Sequence, residues 1–250
     1  MVNRQIDAMA ELQHAFSVLF KNWVLAIPTA LVAVVGSVLL LTVLAGTMAS
    51  FGIAGMTPGS IDPTTALHML ATAGPILGIF VVVMILLGLL AQAVVIGGAE
   101  HVWHGQPADL MGGVNKALSK VPPLFGLFLI AAVIGFFCLL LSFILIGPLV
   151  GIVLAFMFMY TLPAIVVGNE GVLAALGTSW RLVRANFGPS ALAFIGIFVA
   201  YIIGGVIEMV FSSLHLLSVV INLIVGGLTA AFAALVVVRF YDLLRGAPAS

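Results

Sequence analysis

Six apolar runs, each about as long as a helix needs to cross a bilayer, divide this chain into spans joined by short polar connectors. They cover, within a few residues, 23–49, 74–99, 124–146, 149–168, 190–211 and 217–238. Crossing about 30 Å of hydrocarbon takes roughly 20 apolar residues as a helix, the one open-ended structure that satisfies its own backbone hydrogen bonds away from water. Run length excludes barrel strands, which would be about 10 residues long with strict alternation. Composition agrees: 64% of the 250 residues are hydrophobic and 6% are charged, against about 25% charged in a soluble globular domain. The expected fold class is all-α integral membrane, a single polytopic domain.

Charge adds an orientation. Eight Lys+Arg balance eight Asp+Glu, and the basic residues never form a run. This excludes a nucleic-acid surface and a polybasic tail. Cys138 is the single cysteine, so neither an internal disulfide nor a cysteine metal cluster is expected. Arg4 and Lys21 precede the first span, and Lys116 and Lys120 lie between the second and third. Arg181 and Arg184 lie between the fourth and fifth, and Arg239 and Arg245 follow the sixth. The opposite loops, about 50–73, 147–148 and 212–216, hold no Lys or Arg. The positive-inside rule then predicts a multi-pass protein of a bacterial-type inner membrane with both termini cytoplasmic.

The connectors on the basic side are patterned. Ile6, Met9, Leu12 or Gln13, Phe16 and Leu19 or Phe20 recur at helical spacing before the first span. Leu110, Val114, Leu118 and Val121 do so before the third, and Leu173, Leu176, Trp180, Val183 and Phe187 before the fifth. Each reads as an amphipathic interfacial helix with its cations near the C-terminal end, where they complement the helix dipole and meet anionic headgroups. Asn22-Trp23 is echoed by Asn186-Phe187, and Gly188-Pro189 predicts a break before the fifth span. The chain therefore reads as three parallel repeats, about 4–104, 107–168 and 170–245. Each is an interfacial amphipathic helix plus a transmembrane hairpin, and the repeat axis lies along the membrane normal.

The segment from Glu170 to Ser190 and the end from Val238 to Gly246 resemble the membrane domain that precedes glycerophosphodiester phosphodiesterase domains, and its stand-alone, largely uncharacterised six-helix relatives. Ala175, Leu176, Ser179, Trp180, Leu182, Val183, Arg184, Asn186 and Phe187 match an ALxxSWxLVRxNF pattern. Tyr241, Asp242, Leu243 and Arg245 match part of a closing signature, from which the chain departs at Leu244. The resemblance implies six helices and no catalytic residues in the membrane part.

Few groups could carry chemistry. Glu100 and His104 are four residues apart on one helix face beside His101, but a metal needs three or four ligands and no second cluster is evident, so no metal is expected. Glu208 is the one acid well inside an apolar run, and His215 could pair with it as a proton-responsive couple. Gln92 and Asn222 are expected to tie helices together. With no catalytic set and no cofactor expected, the sequence points to a non-catalytic membrane scaffold or accessory subunit rather than an enzyme. Such a protein would bind membrane lipids or another integral membrane protein through Trp180, Arg181, Arg184, Asn186, Phe187, Lys116 and Lys120. The rival expectation is a transporter or lipid-handling protein with a pathway along the repeat axis.

Overall fold

The computed structural model describes residues 7–50, 63–143, 145–214 and 216–246, and among them there is no β-strand. The chain runs through α1 (Ala8–Lys21), a 3-10 turn (Trp23–Ala26), α2 (Ile27–Ser50), α3 (Pro63–Trp103), α4 (Leu110–Ser119) and α5 (Val121–Ser142). It continues through α6 (Gly147–Met157), α7 (Thr161–Val166), α8 (Val172–Ala185), α9 (Phe187–Phe211) and α10 (Leu216–Arg245). Six stretches are long and apolar enough to cross a membrane: Trp23–Thr47, Ala71–Trp103, Val121–Ser142, Gly147–Val166, Phe187–Phe211 and Leu217–Arg245.

Each short helix precedes a pair of these stretches, and its junction to them is abrupt. α1 ends at Asn22 (φ −124°, ψ 42°) and α8 at Asn186 (φ −132°, ψ 51°). In both, the asparagine amide donates to the carbonyl four residues earlier, Val18 at 3.1 Å and Leu182 at 3.2 Å. The repeated dipeptides are thus the same device: the carbonyl that accepts the asparagine's own N–H also accepts its side-chain amide where the helix turns a corner. The break before α9 lies at Asn186, two residues ahead of the expected Gly188-Pro189. Proline is tolerated in a helix's first turn, where its missing N–H costs no hydrogen bond, so Pro189 sits inside the start of α9.

The fourth stretch departs from the expected continuous span 149–168. It is broken between Met157 and Thr161 into α6 and α7. Pro163 cannot supply an N–H to residue 159, which explains why the helix stops and restarts. The second stretch is longer than expected: α3 is a 41-residue helix with Pro75 inside it, about 60 Å long at 1.5 Å per residue.

Packing is uneven along the bundle. The densest core joins the C-terminal parts of α3 and α10 to α7 and the short helices, with Ala93, Val95, Ala99, Ile165, Leu235 and Phe240 all fully or almost fully buried. Away from it, Val38, Leu41, Ile79, Val133, Phe136 and Leu149 lie exposed. Apolar side chains of this kind in a spanning helix face hydrocarbon at no cost.

The short helices bury mainly small residues, with Leu19 on α1 and Val183 on α8 the larger exceptions. Small residues are buried against the spans: Ala8 and Ala15 on α1, Gly113 and Ala117 on α4, Ala175 and Ser179 on α8. Met9, Phe16 and Phe20 on α1, Met111 and Leu118 on α4, and Leu173 on α8 are exposed, as is Phe187 just beyond it. Close approach through small residues is how helices gain contact when the surroundings are as apolar as the protein. The expected apolar stripe on α8 is accordingly divided, with Val183 buried and Leu173 and Phe187 outside.

Candidate interfacial site

α8 is seated by a hydroxyl. Ser179 is fully buried, donates to the Met157 carbonyl at 2.9 Å and accepts from the Tyr160 N–H at 3.1 Å. Those two backbone groups are among the ones the α6–α7 break strips of helical partners, so Ser179 repairs part of the break from a neighbouring helix. Tyr160 is held further by its hydroxyl, 3.3 Å from Ser190 Oγ at the start of α9. Ser179→Ala should lower stability by about 2 kcal/mol or more, because two buried backbone groups lose their partner at once. Thermal unfolding in mild detergent reads this, and an unchanged midpoint would mean that the hydroxyl is dispensable to the break.

With the inner face fixed, the outer face of α8 is displayed. Trp180 is 40% exposed, lies 6.2 Å from the Phe158 ring and carries the Arg184 guanidinium 6.0 Å from its own ring centroid. The Arg181 guanidinium bonds Thr178 Oγ1 at 3.3 Å, and Thr178 donates to Glu170 at 2.7 Å. Phe187 stands edge-on to Phe156 at 5.4 Å and is otherwise exposed. Trp180, Arg181, Arg184 and Phe187 thus form one outward surface on the rim of α8. Asn186, named with them from the sequence, instead closes the helix.

Of the other cations named with them, Lys116 is an ion-pair partner of Glu100 within the chain. Lys120 caps the end of α4. Among the described residues the only other ion pair joins Arg239 to Glu11, so Lys120, Arg181 and Arg184 take part in none.

The Glu11–Arg239 pair belongs to a cluster that sequence reasoning missed. Arg239 Nε and Nη2 donate to the two carboxylate oxygens of Glu11 at 2.7 and 3.1 Å. The same guanidinium lies 4.9 Å from the Trp103 ring centroid, and His14 meets that ring edge-on at 5.4 Å. Trp103 Nε1–H donates to the Leu235 carbonyl at 3.1 Å. No spacing signal could have found this cluster, since its residues lie on three helices and the ion pair joins positions 228 apart.

Around His101 and His104 the ring Nδ1 atoms face backbone carbonyls, Gly97 at 3.1 Å and Glu100 at 2.8 Å, an arrangement in which each ring donates. With Glu100 held by Lys116, no group of three or more potential ligands gathers among the described residues. Gln92 and Asn222 make no side-chain hydrogen bond to another described residue; Asn222 is exposed. Glu208 is half-buried on α9 with its carboxylate over Gly226 of α10, Oε1 lying 3.9 Å from where a β-carbon would stand. His215, its expected partner, lies outside the described residues. No protein-family model, curated protein or solved structure matches the chain.

Proposed function

We propose that this protein is a non-catalytic integral membrane scaffold or accessory subunit that docks anionic lipid or a second integral membrane protein through the outer face of α8. The observation that carries this reading is the division of α8. Its small face is locked onto the spans by Ser179, while Trp180, Arg181, Arg184 and Phe187 project outward with both cations outside ion pairs. Aromatic and arginine side chains together form the composition that interfaces favour. The eight-to-zero distribution of cations supports termini in the cytoplasm and an inner-membrane location. The matched junctions at Asn22 and Asn186 support the three-repeat architecture. The motif shared with the phosphodiesterase-associated membrane domains is read here as fold-forming at Ala175, Ser179 and Asn186, and as recognition at Trp180 and Arg184.

The test is the double substitution Arg181→Ala with Arg184→Ala, followed through co-purification in mild detergent. Each arginine near an anionic leaflet contributes about 1 kcal/mol, so losing both should weaken retention of lipid or partner by about thirtyfold. Unchanged retention by a correctly inserted protein would leave the two cations with a topological role alone. A stoichiometric protein partner supports the subunit reading. Lipid or solute bound in an axial cavity supports transport or lipid handling along the repeat axis, a second reading favoured by Glu208 lying in the α9–α10 seam.

A further inference from the structure

On the opposite flank from α8's motif, α1, α9 and α10 enclose a cleft of about 370 Å³ that is open on one side. Phe16 and Phe20 of α1 and Phe232 of α10 form one end, with ring centroids 5.0 and 6.1 Å from Phe16. The cleft follows α9 from Gly196 to Ile207, about 16 Å at 1.5 Å per residue. Allowing for the radius of a water molecule at each wall, its volume over that length leaves a passage roughly 8 Å across, narrower than the 10–12 Å of a helix with its side chains. A whole helix, from a second copy or from a partner, does not seat within it. The length is about half the ~30 Å of bilayer hydrocarbon, the depth of a single leaflet. One polar side chain lines it, Thr229, whose hydroxyl donates to the Val225 carbonyl of its own helix at 2.8 Å. The cleft therefore offers nothing to a polar solute. Beside Phe20 stands Lys21, exposed at the C-terminal end of α1 and in no ion pair among the described residues.

We propose that this cleft is a binding site for one acyl chain of an anionic phospholipid, whose phosphate is met by Lys21. The site is separate from the α8 surface, and its fate does not depend on that reading. The full-length protein, equilibrated with vesicles of equal parts phosphatidylglycerol and phosphatidylcholine and then extracted in mild detergent, is examined by native mass spectrometry. One phosphatidylglycerol should remain bound. Ala200→Phe fills the cleft from within, and Val199→Trp fills it from its exposed rim, where the packed core is not disturbed. Each should retain lipid more than tenfold less, since every methylene excluded costs about fourfold in affinity. Val206→Phe, on the exposed flank of α9 outside the cleft, should behave as the native protein. Lys21→Gln should keep the chain but lose the preference for phosphatidylglycerol. Native-like retention in both filled variants overturns the proposal, as does an undiminished preference in Lys21→Gln or the cross-linking of a second copy through the cleft.

Discussion

Gly113→Val should drive α4 away from α3 and lower stability by about 3 kcal/mol or more, at the upper end of what overpacking costs. The two helices cross on glycines. A β-carbon on Gly97 would stand 3.0 Å from the Gly113 Cα, and one on Gly113 would run into the Val94 carbonyl and lie 3.1 Å from the Gly98 nitrogen. Those obstacles are backbone, which cannot rotate aside as the end of a side chain does. The helices must separate, and separation also stretches the Lys116–Glu100 pair that spans the same crossing. Gly88 on α3 supplies the contrast, because a β-carbon there meets nothing within 4 Å. Gly88→Ala should be neutral, or stabilising by up to about 1 kcal/mol through helix propensity. Thermal unfolding of both variants in the same detergent checks the pair. Equal midpoints would show that the crossing does not depend on backbone contact.

The spans could be read because crossing hydrocarbon imposes a length that hydropathy reports directly. The boundaries that moved did so for local reasons: Pro163 splits the fourth stretch, and Asn186 ends α8 three residues before Pro189. The short helices could be read as helices from their periodicity, but not for which side faces the protein. In water the larger apolar side chains would mark the buried face. Here Ala175 and Ser179 mark it, because lipid accepts Leu173 and Phe187 as readily as a core would. The outward cations of α8 were visible from sequence as a pattern. Whether a given cation is already spent on an internal carboxylate was not: Lys116 is paired with Glu100, while Arg181 bonds only a threonine hydroxyl. Ser179 was visible only as a motif letter. Its role needed the break in α6–α7, which no periodicity predicts.

Arg239→Ala should release α1 from the bundle. The guanidinium does three things at once: it forks onto both oxygens of Glu11, covers the Trp103 ring, and through that ring braces the edge contact with His14. A charge-assisted hydrogen bond contributes about 1.5–3 kcal/mol and a partly desolvated cation–π contact about 1. Glu11 would be left about four-fifths covered without its counter-charge, since its side chain is 21% exposed. The loss should therefore reach about 3 kcal/mol and fall on α1, which packs along α10 and α9. Arg239→Lys keeps the charge but not the planar fork, and should recover less than half. A double-mutant cycle with Glu11→Gln should return a coupling of about 1–3 kcal/mol. Hydrogen exchange separates this from general loosening. Amides of 8–21 should exchange faster in Arg239→Ala, while those of 172–185 stay protected, because α8 is held by Ser179 rather than by the arginine. Faster exchange in both segments would mean that the two helices share one cooperative unit, and that the terminal cluster clamps the whole charged end of the bundle rather than α1 alone.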